Sequence, residues 1–322
     1  MHAATTNRAT PIAFPVRTAA AWLGRDQRAD RSWVYHLSAQ DIADLDAVIE
    51  RAQARGLNFA ELTKSDAAMP SLGKAIAAWR EDIRHGRGFV LIKGVPTDRY
   101  TEAQVEIAYW AIGLHLGTPK PQNKSGDLLG HVRDTGELAS NPNVRLYRTT
   151  KAQDFHCDGA DIIGLLCLQP AKSGGISRIV SSVSVLNEAT RRRPDLAPLL
   201  FQDFPFDLTD DRPLGSAATI ARFPFCRVKN GELKTFFVGW YVRNSQRYPD
   251  VERLTAGQLA LIELIEEIAN DPDYHPDMDF EPGDIQLLHN ATILHARTAY
   301  EDFDEPERKR HLLRLWLTAD EP

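Results

Sequence analysis

Along the first third of the chain, apolar positions recur at helical spacing. Ile42, Leu45, Val48 and Ile49 share one face of a helix predicted to begin at Ser38, where Ser38 and Asp41 stand as a capping pair. A second amphipathic stretch surrounds Ile76, Trp79 and Ile83. The run GFVLIKGVP (88–96), apolar between glycines and closed by proline, predicts a buried strand. A further helix is expected over 102–116, ending near Gly117. Residues 1 to about 32 show no clear periodicity.

From Gly126 onward the pattern changes. Short apolar segments at 144–147, 162–168, 179–183, 235–238, 285–288 and 312–317 alternate with turn-rich stretches. One helix is expected to interrupt them, over 255–269, with Thr255 as cap and Gln258 completing a capping box. Helices followed by many short strands predict an α+β fold, mainly β: a double-stranded β-helix (jelly roll) with N-terminal and inserted helices. No repeat or linker breaks the chain. Residues 1–85 therefore read as a helical elaboration of the same domain as a core at 86–322. An insertion at about 201–247, rich in proline, aromatics and arginine, is expected to form a lid and part of a pocket.

Composition narrows the partners. Of 322 residues, 43% are hydrophobic and 25% charged, which suits a globular protein with a substantial core. The net charge of −6 offers no basic footprint for nucleic acid or an anionic membrane surface. No apolar run approaches the roughly 18 residues of a membrane span. Pro11, Pro15 and Arg17 interrupt the N-terminus, leaving no apolar core for a secretory signal. Cys157, Cys167 and Cys226 match neither a disulfide framework nor a zinc spacing, so a reducing, cytoplasmic setting is expected.

Two H-x-D triplets stand out, His156-Cys157-Asp158 and His275-Pro276-Asp277. The second sits in DPDYHPDMDFEPGD, which reads as a solvated loop that needs no ligand. The first follows an extended segment around Tyr147 and precedes IIGLLCL. In extended chain, i and i+2 point the same way, so His156 and Asp158 can grip one ion. His295, closing NATILHAR, is the candidate third ligand, although such a histidine taken alone is more often a hydrogen-bonded core residue. Two imidazoles and one carboxylate with open positions are the facial triad of non-heme iron(II) oxygenases. Arg310 and Arg314 in KRHLLRLWL alternate onto one strand face among apolar neighbours. Buried guanidiniums need an anion, either an internal acid or a bound dicarboxylate.

FHCDGAD, KSGGISRIVSS, PGDIQLLHNATILHAR and KRHLLRLWL, in this order, closely resemble the taurine dioxygenase (TauD/TfdA)-like and clavaminate synthase-like superfamily. GFVLIKGVP and LGTPKPQNKSGDLLGHVRD look like its first core strand and following loop, so the resemblance runs from roughly Gly86 onward. It implies a dioxygenase using Fe(II), 2-oxoglutarate and O2, with His156, Asp158 and His295 on the metal. It further implies Arg310 on the distal carboxylate of 2-oxoglutarate, assisted by Ser177, where the family commonly has threonine. Arg314 would lie near the carboxylate at the metal end or touch substrate, and Asn290 would be a positioning residue beside the cofactor site. The expected reaction couples decarboxylation of 2-oxoglutarate to succinate with C–H oxidation, by default hydroxylation, of a small molecule. Desaturation, cyclisation and epimerisation are branches of the same chemistry. Asp158 argues against halogenation, which needs that carboxylate replaced.

Two other readings fit parts of the pattern. A metalloenzyme on a β-barrel without 2-oxoglutarate leaves Arg310 and Ser177 purposeless, and the intact triad argues against a non-catalytic binding protein. Arg212, Arg222 and Arg243 in the insertion permit an anionic or amino-acid-like substrate, although Arg243 reads equally as a surface residue. The family often forms dimers and tetramers, which leaves a homo-oligomer open, but no patch in the sequence identifies an interface. His115, His131, His289 and His311 read as packed or hydrogen-bonded, and Arg191–Arg193 as a solvated helix end.

Overall fold

A computed structural model describes residues 12–123, 125–137, 145–208 and 219–319. The first part runs α1 (Gly24–Ala29), β1 (Val34–His36), α2 (Ala39–Ala54), α3 (Leu72–His85), β2 (Phe89–Lys93), α4 (Glu102–Leu116), β3 (Thr118–Pro119) and β4 (Leu129–Val132). Then come β5 (Gln153–His156), β6 (Ile162–Gln169), β7 (Ser173–Gly174), β8 (Ser177–Ser181), α5 (Ser182–Arg192), β9 (Asp203–Asp207), β10 (Ile220–Pro224), β11 (Cys226–Lys229) and β12 (Glu232–Thr235). The rest is α6 (Gly239–Ser245), α7 (Ala256–Asn270), β13 (Asp277–Met278), β14 (Ile285–His289), β15 (Ile293–Arg297), β16 (Tyr300–Glu301) and β17 (His311–Thr318).

Local chemistry explains the helix starts. Ser38 with Asp41, Thr101 with Gln104 and Thr255 with Gln258 each form a complete capping box, satisfying otherwise orphaned N–H groups. Helix α4 is buried on nearly every side, from Val105 through Ile112, because it lies between α2 and α3 and the sheet carrying β17.

Helices and sheets are mixed throughout. The larger sheet has the order β1-β2-β14-β6-β17-β3, with β4 also on β17; the smaller is β13-β8-β15-β5. Alternation sends each strand's side chains to opposite cores. Leu313, Leu315 and Leu317 face the α2–α4 side, whereas Leu312 and Trp316 turn toward Ile179 and Ile293 of the smaller sheet. Val180, Leu294 and Ala296 back onto α5 and α7, leaving His295 and Arg297 on the inner face. The inward faces of both sheets thus meet over a small core, and the cavity opens beside it.

Several expectations need correction. Val144 lies outside the described residues, and 146–148 form a 3-10 turn rather than a strand, so Tyr147 is not in extended chain. The strand expected over 179–183 ends at Ser181, whose hydroxyl caps α5. The β-branched and hydroxyl residues of SVSVLNEAT disguise this helix as strand. Of 235–238, Thr235 ends β12 and Val238 makes only an isolated bridge to His156. Three helices, α5, α6 and α7, therefore interrupt the strands where one was expected. His275 is not solvated: it packs on Phe155 with its Nδ1 2.8 Å from Asp277, because β13 closes an edge of the smaller sheet. No helix among the described residues is long and apolar enough to cross a membrane.

Candidate metal centre and adjoining cavity

His156 ends β5 and His295 sits on β15, and the two are direct register partners in the smaller sheet. Their ring centroids lie 4.2 Å apart. Asp158 follows in the loop after β5, its Oδ1 3.8 Å from His156 Nε2 and its Oδ2 3.8 Å from His295 Nε2. The three ligand atoms lie within 4.8 Å of one another. His156 Nδ1 is 2.7 Å from the Asp154 carbonyl, which sets it as the N–H and leaves the Nε2 lone pair facing Asp158.

The protonation states suit a metal. Burial pushes both imidazoles below their usual range, His295 to about 3 with His156 beside it adding to the shift, so both are neutral at physiological pH. Burial alone would raise Asp158, but the Arg314 guanidinium foremost, with the Trp316 N–H, holds its carboxyl well below the usual carboxylate range. Two neutral imidazoles and an ionised carboxylate are a donor set that fits a divalent transition metal.

The carboxylate is tightly held. Trp316 Nε1 donates to Oδ2 at 3.0 Å and Arg314 Nη1 lies 3.3 Å from it. Asn290 clamps the loop backbone: its Oδ1 accepts from Asp158 N at 2.9 Å, and its Nδ2 donates to the carbonyls of Asp158 and Ala160. Asn290 thus acts on the backbone of the metal-ligand loop and is not among the residues lining the cavity.

Arg310 and Ser177 do line it. Arg310 is 4% exposed, its guanidinium 5.2 Å from the Tyr300 ring centroid and its Nη1 without a hydrogen-bond partner among the described residues. Ser177 Oγ accepts from Gln286 Nε2 at 3.1 Å. Arg314 also reaches the cavity, but it is already engaged: besides Asp158 it donates to Gln122 at 2.8 Å and lies between Tyr147 and Trp316.

Other residues escaped the sequence reading. Arg297 follows His295 by the same i, i+2 rule that joined His156 to Asp158, so that rule would have found it. Gln153 lies 3.1 Å from His156 Nε2, and Trp240 of α6 meets the His156 ring edge-on at 4.8 Å. Neither carries a spacing signal, since each reaches the site only through strand pairing or helix docking. Arg222 and Arg243 pair instead with Glu252 and Glu266 away from the cavity, and Arg212 lies outside the described residues.

His115, His131, His289 and His311 are hydrogen-bonded, as the sequence suggested. His115 meets the Ala67 carbonyl at 2.7 Å and His289 meets Thr292 at 3.1 Å. His131 and His311 lie 2.8 Å apart beside Glu102, a second group with ligand-like spacing, but outside the cavity lining.

The family model described as "Taurine catabolism dioxygenase TauD, TfdA family" matches residues 54–316. "FR-33289 synthase" of Streptomyces rubellomurinus (strain ATCC 31215) is 31% identical over 315 residues, covering 95% of this chain and 91% of that protein. "Taurine hydroxylase-like protein SAT17" of Stachybotrys chartarum (strain CBS 109288 / IBT 7711) is 27% identical, covering 97% and 82%. Among solved structures, asparagine oxygenase in complex with Fe(II), hydroxyasparagine and succinate superposes with a TM-score of 0.65 at 16% identity over 89% of this chain and 93% of that one. Non-heme iron oxygenase OrfP in complex with Fe, succinate and (3S)-hydroxy-L-Arg gives 0.66 at 14% identity over 89% and 94%. At such identities the structural likeness speaks for the fold.

Proposed function

The chain belongs to the taurine catabolism dioxygenase TauD/TfdA family, and from that premise we propose that it is a non-heme Fe(II)- and 2-oxoglutarate-dependent dioxygenase acting on a small molecule. The overall reaction is 2-oxoglutarate, O2 and substrate C–H going to succinate, CO2 and substrate C–OH. The observation that carries this reading is the buried triad of His156, Asp158 and His295, with Arg310 Nη1 on the same cavity and without a partner among the described residues.

Iron(II) on the triad would supply O2 binding and redox chemistry. The chain's own residues do the rest. His156 and His295 present neutral Nε2 atoms; Arg314 and Trp316 hold Asp158 ionised; Asn290 fixes the loop that carries it. Arg310, with Ser177 beside it, takes the distal carboxylate of 2-oxoglutarate in a guanidinium fork. Arg314, committed to Asp158, neutralises charge at the metal end. The apolar residues between the sheets exclude water from the reacting centre.

We read the two facing sheets as a jelly roll at 86–322, residues 1–85 as its helical elaboration and 201–247 as a lid. Trp240 against His156 supports the last point. An amino-acid-like substrate and a hydroxylation outcome draw support from the hydroxyasparagine and hydroxyarginine complexes of the structural neighbours. Three buried cysteines, none in a disulfide, support a cytoplasmic setting.

The test is an anaerobic titration of metal-free protein with Fe(II) and then 2-oxoglutarate, following the weak visible charge-transfer band of the chelate. The expected result is a band that His295→Ala abolishes and that Arg310→Ala restores only at far higher 2-oxoglutarate. Iron binding without a band favours a metalloenzyme that does not use 2-oxoglutarate; no iron binding favours a binding protein.

A further inference from the structure

Two guanidiniums on the cavity wall are buried with no acid against them. Arg297 is 7% exposed and Arg310 4%. Among the described residues, neither has an ion-pair partner, and Arg297 Nε, Arg297 Nη1 and Arg310 Nη1 have no hydrogen-bond acceptor. The nearby Asp302 accepts from the Arg310 backbone N–H at 2.7 Å but pairs with neither guanidinium. Both cations flank one ring, lying 4.8 and 5.2 Å from the Tyr300 centroid. Burying one unpaired cation is costly and placing a second beside it is worse, so this arrangement needs an anion.

Strand register says where that anion lies relative to the metal ligands. His295 pairs with His156, and two residues on, Arg297 pairs with Gln153 on one side and Ser177 on the other. The two histidine donors and the Ser177–Arg297 pair are thus successive inward rows of one sheet, about 7 Å apart along β15, with an irregularity in β5 between them. A keto diacid chelating at the first row places its far carboxylate at the second.

We propose that Arg297 is a second cation for the distal carboxylate of 2-oxoglutarate, so that Arg297 and Arg310 grip it together and Ser177 contributes a hydroxyl. The inference rests on 2-oxoglutarate being the cosubstrate. It gives Arg297 a double role. Its Nη2 donates to the carbonyls of Leu146, Thr149 and Lys151, fixing the turn that carries Tyr147, while Nε and Nη1 serve the acid. Binding of the diacid is thereby tied to the turn that packs on Arg314 and, through it, on Asp158.

The experiment is anaerobic calorimetry on the Fe(II)-loaded protein with two probes, 2-oxoglutarate and 2-oxopentanoate, the latter having a methyl in place of the distal carboxylate. Wild type, Arg297→Met, Arg297→Lys and Arg310→Met are compared. Loss of one charge-assisted contact predicts that Arg297→Met weakens 2-oxoglutarate about ten- to a hundredfold while 2-oxopentanoate stays within about twofold. Arg297→Lys, which keeps the charge and guards against misfolding of the Met variant, should fall between. Equal weakening of both acids by Arg297→Met and Arg297→Lys would reduce Arg297 to a loop clamp and overturn the inference. So would unchanged 2-oxoglutarate binding in both. If wild type fails to prefer 2-oxoglutarate and Arg310→Met changes nothing, the cosubstrate assignment itself falls and the inference falls with it.

Discussion

Replacing Asn290 by alanine separates loop positioning from direct ligation. Asn290 is 4% exposed, and its side chain bonds the metal-ligand loop at backbone atoms. The substitution removes three hydrogen bonds, from Asp158 N to Oδ1 and from Nδ2 to the carbonyls of Asp158 and Ala160. At about 1 kcal/mol net each, and more where the orphaned partner stays dry, the metal-free protein should lose about 3 kcal/mol. The second consequence concerns Asp158. Trp316 and Arg314 still hold its carboxylate, but its backbone is no longer fixed, so metal affinity should fall about 10–100-fold. Urea unfolding of the metal-free protein gives the first quantity, and anaerobic calorimetry with Fe(II) gives the second. Asn290→Asp keeps the acceptor for Asp158 N but sets an oxygen against the carbonyls of Asp158 and Ala160, so it should cost at least as much as alanine. If stability drops as expected but affinity stays within about twofold, Trp316 and Arg314 suffice to position the ligand, and the reasoning fails.

Three further outcomes follow from single features. Burial, with Lys234 nearby, pushes His289 down to about 4 from its usual 6.5, so it stays neutral in the folded state while the unfolded chain protonates. Stability is then full above pH 6.5 and falls by about 3 kcal/mol as pH drops through 4; His289→Gln should flatten that slope in denaturant titrations, and an unchanged slope would refute the assignment. Gly283 has φ +86 and a Cβ there would stand 2.0 Å from the Val95 carbonyl oxygen, so Gly283→Ala should cost about 3 kcal/mol or more, seen as a lower urea midpoint at unchanged slope. Chelating the metal should lower the melting temperature of the Fe(II)-loaded wild type and leave His295→Ala unmoved; equal shifts in both would argue that the ion sits elsewhere.

How much of this was legible in the chain depends on range. The apolar runs at 89–93 and 162–169 mark strands although their partners lie far along the chain, whereas the capping boxes at Ser38 and Thr255 and the helix over 102–116 rest on contacts within a few residues. Side-chain periodicity encodes such contacts directly. The H-x-D pair was readable for the same reason, because i and i+2 share a side of extended chain. Helix α5 was not, since its β-branched residues favour strand locally and only packing against α7 settles the matter.

What tertiary structure alone decided is partnership. Context in the chain favoured the first of two H-x-D triplets; the fold brings His295 into register with His156 and sets the His275 ring against Asp277 and Phe155. Arg314 and Arg310 both face the cavity, yet the first meets Asp158 and Gln122 while the second meets no carboxylate among the described residues. Alternation could place both charges inward, but electrostatics depends on distances between strands far apart in the chain, and those exist only once the two sheets have closed on each other.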